Sequence, residues 1–171
     1  MNYSKIDPMS IVDGTGCRVT LFVSGCRNHC KGCFNEITWD FNYGKQFTEI
    51  EINEILEACR FDYISGITIL GGEPFEQENQ PDVLNLIKKF KEKYPEKTVW
   101  VYTGYVLEED LLPGQRKHVD NVTGPILDAI DVLVDGPFIL DKRNLSLKFR
   151  GSENQRILSK DMIKELRCYM K

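Results

Sequence analysis

Three thiols, Cys26, Cys30 and Cys33, stand within eight residues in the stretch Ser24-Gly25-Cys26-Arg27-Asn28-His29-Cys30-Lys31-Gly32-Cys33-Phe34-Asn35. The C-x3-C-x2-C spacing gathers soft ligands suited to zinc, copper(I) or iron and sulfur. An iron-sulfur cube takes one cysteine per iron, so three thiols would leave one iron without a protein ligand and open to a substrate. Two other readings stand beside this one. Positions 26, 30 and 33 follow the i, i+4, i+7 pattern of one helix face, which would make them core cysteines. Against that, Gly25, Asn28 and Gly32 weaken a helix, and Val19-Thr20-Leu21-Phe22-Val23 just before reads as a strand, so a loop leaving a strand is expected. A closed zinc site would instead draw its fourth ligand from Cys17, Cys59, Cys168 or His29.

A second constellation is Gly71-Gly72-Glu73-Pro74, directly after the buried-type strand Gly66-Ile67-Thr68-Ile69-Leu70. Adjacent glycines let backbone approach a ligand closely, and a carboxylate beside them can pair with an ammonium group. A plain turn would use the same residues. Late in the chain, Phe149-Arg150-Gly151-Ser152-Glu153-Asn154-Gln155-Arg156 reads either as an exposed polar turn or as a source of ligand contacts. In the second case Arg150, Asn154, Gln155 and Arg156 would form a polar binding rim or a clamp for a carboxylate.

The elements that must position these groups follow from periodicity and punctuation. Thr48 with Glu51 makes a capping box, and Ile52, Ile55, Leu56 and Cys59 form an apolar stripe, which predicts a helix over 49–60 with Cys59 in the core. Pro81 opens a second helix with Val83, Leu84, Ile87 and Phe90 on one face, stopping near Tyr94-Pro95. Thr98-Val99-Trp100-Val101-Tyr102 is a strand ending in Thr103-Gly104-Tyr105, and Val132-Leu133-Val134 is another ending in Asp135-Gly136-Pro137-Phe138. Between them lies a weakly signalled helical region around 108–130. Ser159 is placed to cap a last helix with Met162, Ile163, Leu166 and Tyr169 or Met170 turned inward. Before the first strand, Asp13-Gly14-Thr15-Gly16 reads as a tight turn and Cys17 as core-facing.

Alternating strands and helices imply parallel strands with right-handed crossovers, and ligands bind at the carboxyl edge of such sheets. The cysteine loop, Gly-Gly-Glu-Pro, Thr-Gly-Tyr and Asp-Gly-Pro-Phe all leave strands at that edge and should converge there. At 171 residues the chain is short for a full eight-unit barrel of about 200 residues or more. The expected fold is therefore α/β, an open or partial (β/α) barrel of parallel strands, in a single domain over residues 1–171.

Bulk composition, 42% hydrophobic and 28% charged, is that of an ordinary globular chain. A formal net charge of -4 argues against a nucleic-acid surface, and Lys88, Lys89, Lys91 and Lys93 read as the wet side of a helix. No apolar run approaches the roughly 20 residues that span a bilayer. Three of the six cysteines are clustered and the chain opens on polar residues, which points to a reducing compartment, the cytoplasm, and to metal ligation over disulfides.

The cysteine loop after a strand, joined to Gly71-Gly72-Glu73-Pro74 after the next, resembles the radical S-adenosylmethionine (SAM) enzymes. Further segments narrow the resemblance: Val12-Asp13-Gly14, Leu21-Phe22-Val23-Ser24-Gly25-Cys26, Val99-Trp100-Val101-Tyr102-Thr103-Gly104-Tyr105, Leu133-Val134-Asp135-Gly136 and Arg150-Gly151-Ser152-Glu153-Asn154-Gln155. Together they are similar to the activating components of anaerobic, class III ribonucleoside-triphosphate reductases. The resemblance implies a [4Fe-4S] cluster on Cys26, Cys30 and Cys33 that cleaves SAM. It places the amino end of SAM at Gly71, Gly72 and Glu73, and its adenine near Gly32, Cys33 and Phe34. It also implies one-electron cleavage of SAM to methionine and a 5'-deoxyadenosyl radical, which takes hydrogen from a glycine of the partner reductase. An electron donor such as reduced flavodoxin would supply the cluster. The rival readings are an activase of the pyruvate formate-lyase type, a deazapurine-forming synthase, and a zinc-bound interaction module.

Overall fold

A computed structural model describes residues 1–169. In chain order the elements are β1 (Asn2–Ser10), β2 (Cys17–Val23), β3 (Lys45–Gln46), α1 (Glu49–Ala58), β4 (Ile64–Gly71), α2 (Gln80–Lys93) and β5 (Thr98–Tyr102). They continue with α3 (Thr123–Ala129), β6 (Val132–Asp135), β7 (Arg156–Ser159) and α4 (Lys160–Tyr169). All strands join one seven-stranded sheet in the order β3-β1-β2-β4-β5-β6-β7.

The centre of this sheet, β2-β4-β5-β6, is parallel, as the alternation of elements demands. Its flanks correct the expectation that the strands of the open or partial barrel are all parallel. β1 runs antiparallel to β2, β3 to β1, and β7 to β6, and the sheet is not closed into a barrel. The reason is connection length: residues 11–16 are too few for the dozen or more residues of a parallel crossover, so β1 must fold back on β2. β1 also tolerates Pro8, because the ladder shifts register between Asp7 and Ser10, where the missing N–H has no bond to make.

Strand alternation divides the side chains between two faces. Val19, Leu21 and Val23, Ile67 and Ile69, Val99 and Val101, and Leu133 meet Ile52 and Ile55 of α1, Val83, Ile87 and Phe90 of α2, and Ile163 of α4 in one hydrophobic cluster. The opposite face carries Arg18, Thr20, Thr68, Leu70, Trp100 and Val134, also buried. The 11–16 turn covers part of it, since Thr68 Oγ1 donates to the Asp13 carbonyl (2.8 Å) and Arg18 Nη1 to that of Thr15 (3.2 Å). Phe149 packs edge-on against Trp100 at 5.4 Å. Arg18 is fully buried and donates further to Thr68 Oγ1 and to the Ile67 and Thr98 carbonyls; desolvation draws its pKa down to about 10.

The helices follow their local signals. The Thr48/Glu51 capping box forms, α1 ends at Ala58, and Cys59 caps it fully buried. Pro81 lies in the first turn of α2. The 108–130 region resolves into a single π turn (Leu107–Leu111), an irregular stretch and the seven-residue α3. Ser159 Oγ accepts from the Met162 amide (3.4 Å), and Ile163 faces the core, but Met162 is exposed rather than inward. The inward places expected for the Tyr169 side chain and Met170 lie outside the described residues. Among the described residues no helix is long and apolar enough to cross a membrane.

Candidate cluster and cofactor site

β2 delivers the chain to the cysteine loop, and three backbone bonds fold that loop against its own far end and β1. The amide of Ser24 donates to Asn2 O (2.9 Å), that of Gly25 to Thr38 O (2.8 Å) and that of Cys26 to Trp39 O (3.2 Å). The segment is loop and turn, not helix, and Gly25 (φ 93°) and Gly32 (φ 75°) supply left-handed conformations that a helix face would forbid. Cys26 is buried, and Cys30 and Cys33 are half-buried.

Each thiol accepts a backbone N–H. Asn28 and His29 donate to Cys26, Phe138 to Cys30, and Asn35 to Cys33 at 3.4 Å. Such donors stabilise charge on ligand sulfur and tune a cluster's potential. Burial pushes the Cys26 thiol up to about 12 and that of Cys30 upward as well, so deprotonation is coupled to metal binding. In a cube each thiolate meets a different iron, so the ligands ring a volume instead of meeting at a point. Three thiols in one loop, each with its own N–H donor, fit an iron-sulfur cluster.

The remaining cysteines sit elsewhere. Cys17 starts β2 opposite Ile64, at the far end of a seven-residue strand, roughly 20 Å from the cysteine loop at about 3.3 Å per residue. Cys59 is buried at the end of α1, and Cys168 is exposed on α4. The His29 ring is stacked on Trp39 at 4.5 Å.

The Gly-Gly-Glu turn packs directly on the cysteine loop. Gly72 N donates to Val23 O (2.7 Å) and Glu73 N to Gly25 O (2.8 Å), extending the β2–β4 pairing past both strand ends. A Cβ on Gly72 would lie 2.7 Å from Gly25 O and 3.0 Å from Thr38 O, so the protein's own backbone already requires glycine there. Glu73 is 1% exposed. Its Oε1 accepts from Thr103 Oγ1 (2.7 Å) and Phe75 N (2.9 Å), and its Oε2 from Gly104 N (2.7 Å) and Asn28 Nδ2 (3.1 Å). Burial outweighs these four donors and raises its pKa to about 7. The carboxylate thus joins three loops to one another.

All four expected motifs meet at this edge. Thr103 N donates to Val134 O (2.8 Å) and Gly136 N to Tyr105 O (2.9 Å), while Leu140 packs so closely on Gly32 that a Cβ there would lie 3.0 Å from it. Phe34 is 89% exposed and Gly32 is exposed, on the outer side of the loop. The late polar group is turned inward. Gln155 Oε1 accepts from Gly151 N and Ser152 N, its Nε2 donates to Gly136 O, and Asn154 Nδ2 donates to Pro137 O. Arg150 donates to Gln155 O, and Arg156 forks onto Asp135 and Glu108. These residues staple the 136–155 excursion. Sequence reasoning missed Asn28, Thr103 and Gly104 as partners of Glu73, and Glu76 altogether; none carries a local signal, because each acts through contacts about 30 or more residues away.

Residues 12–158 match the family model described as a 4Fe-4S single cluster domain. An anaerobic ribonucleoside-triphosphate reductase-activating protein of Escherichia coli (strain K12) is 41% identical over 157 residues, spanning 91% of this chain and 96% of its own length. Proteins of the same name from Pasteurella multocida (42% over 157 residues, 91% of this chain and 95% of theirs) and Enterobacteria phage T4 (38% over 161 residues, 93% and 94%) are similar across the same extent.

Proposed function

The chain belongs to the anaerobic ribonucleoside-triphosphate reductase-activating protein family, and from that premise we propose that it is a radical SAM activase that generates a glycyl radical on such a reductase. The observation that carries the reading is the meeting of the three-thiol loop with the Gly-Gly-Glu turn at the carboxyl edge of the parallel strands. Cys26, Cys30 and Cys33 would hold a [4Fe-4S] cluster, whose chemistry there would be one-electron reduction of the sulfonium of SAM. Gly71, Gly72 and Glu73 would receive the amino-acid end of SAM, and Gly32, Cys33 and Phe34 would meet its adenine. For Glu73 this requires one of its present donors to yield.

The whole chain acts as one domain in the cytoplasm, fed by an electron donor such as reduced flavodoxin, with the catalytic subunit of the reductase as partner. The test mixes reduced protein, SAM and an anaerobic ribonucleotide reductase from the same source and records the electron paramagnetic resonance spectrum. A glycyl-radical doublet on the reductase, abolished by Cys30→Ala in this chain, is expected. SAM cleavage with a radical on pyruvate formate-lyase and none on the reductase would keep the chemistry and overturn the named partner.

A further inference from the structure

Past the Gly-Gly-Glu turn lies a second buried carboxylate. Glu76 is fully buried, one turn beyond Glu73 and tied to it through Glu76 N and Glu73 O (3.1 Å). Four donors from three separate segments converge on it. Its Oε1 accepts from the Arg27 amide (2.8 Å) and the Tyr105 hydroxyl (2.6 Å), and its Oε2 from Arg27 Nη1 (2.8 Å) and Lys117 Nζ (2.8 Å). The Arg27 guanidinium also reaches Glu78 and lies over the Phe41 ring at 4.3 Å, and Phe41 in turn packs on Gly25.

Arg27 directly follows the first thiol, and its backbone amide is itself one of the bonds to Glu76. The neighbouring residue, Asn28, is held by Glu73. Between Cys26 and Cys30 the loop is therefore fixed to the rest of the protein by two carboxylates of one turn. A buried carboxylate needs its donors, and a loop whose amide is one of them is held in a single place.

We propose that Glu76 is a positioning residue of the cluster loop, holding the Cys26-to-Cys30 segment in the conformation that binds the cluster by fixing the Arg27 amide and guanidinium against Tyr105 and Lys117. This rests on the reading that Cys26, Cys30 and Cys33 carry the cluster. Arg27 and Glu76 touch no reacting atom, so the effect is read on the cluster itself.

The experiment compares wild type, Glu76→Gln, Arg27→Met and Lys91→Met after anaerobic reconstitution. It measures iron per chain, the rate at which a chelator removes iron, the midpoint potential and the melting temperature. Lys91 pairs with Asp131 beside β5 and serves as a destabilised control away from the loop. Glu76→Gln keeps the shape and one acceptor oxygen but loses the charge. Its iron release should quicken about tenfold, the equivalent of one charged hydrogen bond to a buried group, with a shifted potential. Arg27→Met, which keeps the backbone bond, should show a smaller change of the same kind. Release and potential equal to wild type in Glu76→Gln, or the same acceleration in Lys91→Met at a matched loss of melting temperature, would overturn the proposal. A wild-type chain that takes up no iron-sulfur cluster would overturn the underlying reading instead.

Discussion

At the scale of single residues the cysteines divide by place. Cys26, Cys30 and Cys33 share one loop, whereas Cys17 and Cys59 lie toward the amino edge of the sheet and Cys168 on the outside of α4. Alanine at Cys17, Cys59 or Cys168 should leave iron content near that of wild type, while alanine at any of the other three should lower it sharply, as read by iron analysis after anaerobic reconstitution. Gly72 is a sharper test, because the protein's own backbone already fills the space beside it. From sequence it reads as a place where SAM meets backbone, so that Gly72→Val would weaken SAM while the cluster still assembled. The Gly25 and Thr38 carbonyls beside its missing Cβ change that expectation. The substitution should push the cysteine loop aside, costing on the order of 1–3 kcal/mol and reducing iron content together with SAM affinity. Normal iron with weakened SAM would mean that the loop yields freely. The groups that meet at this edge could be named from sequence because thiol spacing and adjacent glycines are local patterns. The network that fixes them, Asn28 on Glu73 and Arg27 on Glu76, joins residues 45 and 49 positions apart and leaves no periodic trace.

Elements were legible in proportion to how locally they are determined. The capping box at Thr48, the Pro81 start of α2 and the apolar runs of β4, β5 and β6 are fixed by neighbours in sequence, and they form as read. β1 and β7 were hidden because they are flank strands. β1 interleaves Ser4, Lys5, Asp7 and Pro8 with its apolar residues, and only Leu158 of β7 is buried. Tertiary pairing makes them strands: β7 is held against β6 partly by Arg156, which reaches fully buried Asp135 and half-buried Glu108 at once. Removing that cation strands a buried carboxylate, which Leu107 N alone would then satisfy. Discounted for the partial exposure of Arg156, Arg156→Met should destabilise the protein by about 2–3 kcal/mol. That is a fall of roughly 5–10 °C in melting temperature for a chain of this size. A loss within about 1 °C by calorimetry would show that β7 is held by its ladder and Leu158 alone.

For the whole molecule, Glu73 and the paired carboxylates pull stability in opposite directions with pH. Asp7, Glu49, Glu51, Glu78 and Glu108 are each held below the usual carboxylate range, chiefly by hydrogen bonds from Lys5, Lys89, Thr48, Arg27 and Arg156 respectively. Their folded pKa lies under the unfolded one, so what they contribute is present above about pH 4.3 and is lost as the pH falls through the folded values. Glu73 does the reverse. Its folded pKa of about 7 lies above the unfolded value, so between roughly pH 4.5 and 7 the folded chain binds the extra proton and stability falls as pH rises. One buried group shifted this far is worth roughly 3 kcal/mol. The cluster-free chain should therefore be most stable near pH 5 and lose stability toward pH 8, where Glu73 is forced to ionise among its four donors. Thermal unfolding from pH 3 to 8 reads this directly. In Glu73→Gln, which cannot ionise, the decline between pH 5 and 8 should vanish while the acid limb below pH 4.3 stays. A decline of equal size in that variant would place the burden on some group other than the carboxylate that joins the cysteine loop to β5.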